Sequence, residues 1–118
     1  MYGVPTNLDL SGFAQRPLTQ IAIGEFQVQL LFHPQGSISV EGAWELRDEH
    51  GALVDQSLPN EQRSEYRLHR LLRQQVIRWD IDPPSSFSLT FANGLILRVF
   101  DDSQQYESFA IQPGDIFV

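Results

Sequence analysis

The chain has 118 residues, a formal net charge of −7 and no cysteine. This length fits one domain of residues 1–118, and 42% hydrophobic residues are enough for a core without disulfides or metal. The lack of cysteine excludes thiol nucleophiles, iron–sulfur clusters and thiolate zinc sites. The acidic charge argues against nucleic acid as a partner, because phosphate groups repel it.

The chain shows no targeting or membrane signal of the usual kind. No apolar run reaches the length of a membrane helix, and the N-terminal residues lack a basic segment followed by an apolar one. We therefore expect a cytoplasmic protein that does not associate with membranes.

The first strand group, residues 19–56, alternates apolar and polar residues with the period of β-strands. After "LTQIAI", the segment "FQVQLLF" puts Phe26, Val28, Leu30 and Phe32 on one face, and "HPQG" turns the chain into "SISV". "AWELRDEHGALVD" predicts a further hairpin whose loop glycine takes the left-handed conformation.

Residues 60–75, between the strand groups, are predicted to form an α-helix. Asn60 is a suitable N-cap, and Leu68, Leu71 and Leu72 repeat at spacings of three and four. We expect this apolar stripe to lie on a sheet.

The second strand group, residues 76–118, begins with "VIRWDID". The alternation places three apolar side chains on one face of this strand, Ile77, Trp79 and Ile81. It places three charged side chains on the other face, Arg78, Asp80 and Asp82. The segments "FSLTF", "ANG" and "LILRVF" predict a hairpin, "YESFAI" a return strand, and "DIFV" a short final strand.

The two strand groups align with each other, as an internal repeat would. The matched pairs are Val28 with Phe87, Leu30 with Leu89, Phe32 with Phe91, and Gly36 with Gly94. Chance likeness between two hairpins of similar pattern is the alternative explanation.

The fold we predict is α+β, mainly antiparallel β, with one helix between two groups of three to four strands. The strands form a sandwich or a half-open barrel that buries both aromatic faces. One continuous sheet on the helix is the alternative, and its excess apolar surface would require a homodimer. The terminal "IFV" is either a late strand in the core or an edge available to a second copy, and we expect a homodimer.

Two groups of carboxylates are candidate sites. Asp101, Asp102 and Glu107 offer oxygen ligands, but "DDSQQYE" lacks the alternating carboxylates and turn glycine of a calcium loop, so we interpret it as a solvated tip. Asp80 and Asp82 share one strand face, as paired acids in hydrolases do, but the wet side of a half-buried strand explains them more simply. No catalytic residue, metal or cofactor is predicted from them.

The histidines, His33, His50 and His69, have no metal-binding spacing, and we expect them at the surface. The chain also lacks a nucleophile elbow and a glycine-rich phosphate loop.

Arginine is concentrated in the predicted helix. Arg63, Arg67 and Arg70 recur at spacings of four and three, which indicates either a solvated face or a docking stripe for an acidic partner. The candidate partner contacts are therefore Arg63, Arg67, Arg70, Asp101, Asp102, Tyr106 and Glu107.

The run "LTFANGLILRVFDDSQQYESFAI" resembles a family of small bacterial β-rich proteins with no established activity. Their shared features are an apolar–x–Phe–x–(Asn/Asp)–Gly hairpin, acidic residues and a Tyr–Glu–Ser motif, matched here by Leu89, Phe91, Asn93, Gly94, Asp101, Asp102, Tyr106, Glu107 and Ser108. The resemblance implies a bacterial source and a loose similarity to immunity-type proteins that neutralise toxins. It assigns no catalytic residue.

From the sequence we expect a non-enzymatic protein-interaction module, of the immunity kind, whose acidic surface masks a basic partner. The alternative is a small-ligand-binding protein or a hydrolase that uses Asp80, Asp82, Asp101 and Glu107.

Overall fold

The computed structural model describes residue 4 and residues 8–24, 27–34, 36–57, 67–83, 85–101, 109–112 and 116–117. This part of the chain is mostly antiparallel β. Its strands are β1 Leu18–Ile23, β2 Val28–Phe32, β3 Ser37–Val40, β4 Trp44–Arg47, β5 Leu53–Gln56, β6 Val76–Asp82, β7 Ser86–Phe91, β8 Ile96–Phe100, β9 Phe109–Gln112 and β10 Ile116–Phe117. Short 3₁₀ turns, Ser11–Phe13 and Leu68–Leu71, precede β1 and β6. Within the residues described, no helix has the length and hydropathy needed to cross a membrane.

The strands form two sheets that exchange hairpins. The strand order is β1-β2-β3-β9-β10 in the first sheet and β5-β4-β8-β7-β6 in the second. Each sheet thus takes three consecutive strands from one half of the chain and a hairpin from the other half. Both sheets keep open edges over the described strands, so these strands do not close into a barrel.

The inner faces of the two sheets share one core. Leu30, Ile38 and Ile111 come from the first sheet, and Leu89 and Leu97 from the second; all five are at most 2% exposed. Strand alternation explains this burial, since every second residue of each strand faces inward. The two sheets are therefore the layers of a sandwich.

The strand pairing of the first half recurs in the second half. Val28 pairs with Val40, and Phe87 pairs with Val99; each residue of the second pair comes 59 positions after its counterpart in the first pair. The pairings of β1 with β2 and of β6 with β7 each contain a register shift near the start of the first strand. This offset of 59 residues reproduces three of the predicted matches, Val28–Phe87, Leu30–Leu89 and Phe32–Phe91. The predicted match of Gly36 with Gly94 is wrong by one position, because Gly36 corresponds to Leu95.

Reciprocal backbone bonds join the two halves where β1 and β6 begin. The N–H of Gln15 donates to the carbonyl of Val76 at 2.7 Å, and the N–H of Arg73 donates to the carbonyl of Leu18 at 2.7 Å. Gln15 and Arg73 also share a left-handed conformation, with φ of 66° and 70°. Such exchanged contacts are those of a twofold interface, so the two halves are related by a pseudo-twofold axis.

The predicted α-helix over 60–75 is wrong for its described part; residues 60–66 lie outside the described residues. Leu68 and Leu71 are buried, but they lie in a 3₁₀ turn, whose repeat also brings residues three apart onto one side. Leu72 is 38% exposed. The left-handed conformation of Arg73 then ends the turn and leads the chain into β6.

One residue of β6 departs from the predicted alternation. The pattern places Ile77 on the face of Trp79 and Ile81, but Ile77 is 52% exposed while the other two are half-buried. The register shift between Val76 and Arg78 is the cause, because it adds one residue before the regular ladder resumes.

Candidate functional site

The outer face of the second sheet carries charged side chains. Leu46, Leu89 and Leu97 point into the core, so their neighbours along each strand point outward. One line of paired residues crosses strands β6, β7, β8 and β4, and we call it the charged row: Asp80, Ser88, Arg98 and Glu45.

Both carboxylates of the charged row are held by arginines of their own strands. Arg78 Nε lies 3.0 Å from Asp80 Oδ2, and Arg47 Nε lies 3.1 Å from Glu45 Oε1. Arg98 lies between these pairs. Over the described residues its guanidinium makes no hydrogen bond or ion pair. Among the residues that the structure describes, the cation at the centre of the charged row is therefore unpaired.

A shallow groove of about 350 Å³ runs over β7 beside Arg98, and we call it the serine trough. Ser86 and Ser88 form its floor, with Asp80 and Asp82 on the β6 side and Arg98 on the β8 side. The serines are 2% and 6% exposed, and neither hydroxyl has a hydrogen-bond partner in the described part of the chain.

A second groove of about 330 Å³ lies on the other side of Arg98, and Asp48 lies at its edge. The backbone N–H of Ala52 donates to Asp48 Oδ1 at 3.0 Å, and that of His50 donates to the same oxygen at 2.9 Å. Both bonds stabilise the ionised carboxylate and so lower the pKa of Asp48 below its ordinary value. The bond from Ala52 has the larger effect.

The outer face of the first sheet gives a direct comparison. Its equivalent line of paired residues, which we call the uncharged row, is Ala22, Gln29, Ser39 and Ala110. The amide of Gln29 donates to the hydroxyl of Ser39 at 3.4 Å. Two faces built on the same backbone pattern thus differ in that only one of these rows is charged.

The described residues among the predicted partner contacts are not gathered at one place. Arg67 lies against β5, where its backbone N–H donates to Asp55 Oδ2 at 2.8 Å. The carbonyl of Arg70 accepts from Asn93 Nδ2 at 3.1 Å, at the β7–β8 turn. Asp101 follows the other end of β8. Arg70 and Asp101 therefore lie at opposite ends of that strand.

The remaining predicted contacts, Arg63, Asp102, Tyr106 and Glu107, lie outside the described residues. Asp80 and Asp82 are exposed on the outer side of β6, as predicted.

The histidines His33, His50 and His69 are exposed, as predicted. In the part of the chain that the structure describes, no group of three or more His, Asp or Glu side chains is arranged to hold a metal ion.

Sequence reasoning missed Arg98, Ser86 and Ser88. The signal was present: Arg98 is a charged residue among apolar neighbours in "LILRVF", and the serines occupy the outward positions of "SFSLTF". Their proximity depends on cross-strand register, which a single strand does not reveal.

Comparison with known proteins gives no relative. No family model, no curated protein and no solved structure matches this chain.

Proposed function

We propose that this protein is a non-enzymatic interaction module that binds a basic protein partner through the outer face of its second sheet. One observation carries the proposal: the charged row and the uncharged row occupy equivalent positions of the two sheets. The uncharged row indicates that this backbone does not require charge at those positions.

The ion pairs of the charged row contribute little to the stability of the fold, so stability is a weak explanation for the presence of these charges. Arg78 and Asp80 have side chains that are 71% and 53% exposed, and such pairs contribute only about 0–1 kcal/mol. Binding is a better reason for placing several charges on one flat face, because complementary charge selects the partner and its orientation.

The sign of the charge favours a basic partner. Around the two grooves of the face, carboxylates outnumber arginines: Glu45, Asp48, Glu49, Asp80 and Asp82 against Arg47, Arg78 and Arg98. The whole chain carries −7, which accelerates encounter with a positively charged surface. Neutralisation of a toxin with a basic cleft is the biological role that this chemistry suits.

The alternative of a hydrolase that uses Asp80, Asp82, Asp101 and Glu107 has less support. Asp80 is bound to Arg78. Asp82 is exposed on the same open face. A general acid is usually kept protonated by burial or by a neighbouring carboxylate, and an exposed, arginine-paired aspartate lacks that environment.

Affinity capture from cells that produce the protein tests the proposal. The row-exchange variant replaces the charged row with its counterparts from the other sheet: Asp80→Ala, Arg98→Ser and Glu45→Ala. Glu41→Ala is the matched control, because it changes the net charge by the same +1 at an exposed position in the link between β3 and β4, outside the lining of both grooves.

The wild-type protein and Glu41→Ala should retain the same basic protein, and high salt should release it. The row-exchange variant should not retain it. Equal retention of that protein by the row-exchange variant, or retention that salt does not weaken, would contradict the proposal.

A further inference from the structure

The serine trough contains groups that ordinarily need a partner. Ser86 and Ser88 are almost fully buried and face into the trough, yet their hydroxyls form no hydrogen bond within the described residues. Buried hydroxyls are nearly always hydrogen-bonded in folded proteins. A ligand with polar groups would satisfy them.

The charges of the trough restrict that ligand. Its lining carries two carboxylates, Asp80 and Asp82, and one guanidinium, Arg98, which gives a net charge of −1. Asp80 is already paired with Arg78, so a complementary ligand has one cationic group for Asp82 and one carboxylate for Arg98. The two aspartates would repel a phosphate, and Arg98 would repel a bare cation, so neither matches the lining.

The arrangement of the charges also requires a ligand of some length. Asp82 and Arg98 lie on strands β6 and β8, either side of β7. Neighbouring strands are about 4.8 Å apart, so the two charged groups rise from strands about 10 Å apart. A carboxylate and a cation at opposite ends of a short chain can reach both groups, whereas glycine cannot.

We propose that the serine trough binds a basic amino acid, with its carboxylate on Arg98 and its side-chain cation on Asp82. The hydroxyls of Ser86 and Ser88 hydrogen-bond to the polar groups between these ends. The same chemistry is present at the C-terminus of a peptide that ends in arginine or lysine. The trough shares Asp80, Ser88 and Arg98 with the charged row, but a small molecule can occupy it without a protein partner.

Titration of the ¹⁵N-labelled protein with L-arginine tests the proposal by NMR. Agmatine lacks the carboxylate, and L-norvaline lacks the guanidinium, so each removes one of the two charged contacts. L-Arginine should give saturable shifts at the amides of Ser86, Ser88 and Arg98. Both analogues should bind about tenfold more weakly or worse, because each loses a charge-assisted hydrogen bond.

Two variants test the assigned contacts. Arg98→Ser, which introduces the residue found at the equivalent position of the first sheet, and Asp82→Asn should each weaken L-arginine binding about tenfold. Glu41→Ala should bind as the wild type does. Thermal unfolding of each variant shows that loss of binding is not loss of the fold.

A peptide that ends in arginine, and the same peptide with a C-terminal amide, separate the two sources. Binding of the free-acid peptide alone identifies a peptide C-terminus as a ligand; binding of L-arginine but neither peptide identifies the free amino acid. The proposal is overturned if neither L-arginine nor the free-acid peptide gives a saturable shift up to about 10 mM, a concentration that nearly saturates a site with a Kd of about 1 mM. It is also overturned if Arg98→Ser binds L-arginine unchanged. Neither result affects the capture experiment, which reads partner binding by the whole face.

Discussion

The contact between Phe87 and Phe109 tests whether the exchanged hairpins hold the two sheets together. Phe87 belongs to the second sheet, and Phe109 belongs to the hairpin that the second half contributes to the first sheet. Their rings meet edge to face, with centroids 4.8 Å apart and an interplanar angle of 72°. The informative perturbation is a double-mutant cycle of Phe87→Leu and Phe109→Leu.

Both rings are 1% exposed, so each substitution replaces a fully buried ring with a smaller apolar group. Each single variant should lose about 1–2 kcal/mol of unfolding free energy, near the cost of conservative changes in a core. An edge-to-face pair adds about 0.5–1.5 kcal/mol beyond burial. The double variant should therefore lose less than the sum of the two singles by about 0.5–1.5 kcal/mol.

Urea unfolding followed by tryptophan fluorescence measures these free energies. Phe13→Leu with Phe109→Leu is the control cycle. The ring of Phe13 pairs with that of Phe32, with centroids 5.0 Å apart, so the free-energy losses of these two substitutions should be additive. Both halves should unfold in one transition, since each sheet contains strands from both. A coupling near zero, or two separate transitions, would refute the proposed role of the exchanged hairpins.

Further substitutions test the loop geometry. Gly51→Ala should destabilise by about 1–2 kcal/mol because Gly51 has φ of 85°, whereas Gly12→Ala, equally open in space, should change thermal stability little. Arg73→Gly should stabilise by about 0.5–1 kcal/mol, because Arg73 has φ of 70°; denaturant unfolding measures this change. The pKa of Asp48, measured by NMR, should lie below its ordinary 3.8, chiefly because of the N–H of Ala52. The stability that Asp48 contributes is then complete above pH 3.8 and is lost as pH falls through its lowered pKa; Asp48→Asn should abolish this part of the acid dependence.

The strands could be predicted from the sequence, because period-two alternation appears within each segment. In "FQVQLLF" the residues predicted to face inward include Leu30 and Phe32, and both are buried. The exchange of hairpins could not be predicted. Alternation shows which face of β4 is apolar, but it does not show whether β4 pairs with β3 or with β8. A three-residue link, residues 41–43, carries the chain from one sheet to the other.

The helix prediction failed because a short leucine pattern has more than one structural solution. Leu68 and Leu71 have helical spacing, but an equal spacing fits one 3₁₀ turn, and the turn Ser11–Phe13 before β1 shows the same solution in the first half. The outward position of Asp80 could be predicted from β6 alone. The position of Arg98 beside the serines could not, since it depends on the pairing of three strands. The cytoplasmic location and the homodimer stay predictions.

The unfolding free energy of the row-exchange variant tests the central claim most directly, namely that the second sheet does not need its charged row for folding. The variant loses two partly exposed ion pairs, so its unfolding free energy should fall by less than about 2 kcal/mol, with one cooperative transition. For comparison, Leu89→Ala in the core should lose about 2–5 kcal/mol. A loss in the row-exchange variant as large as that of Leu89→Ala would mean that the charges serve the fold, and would contradict the account.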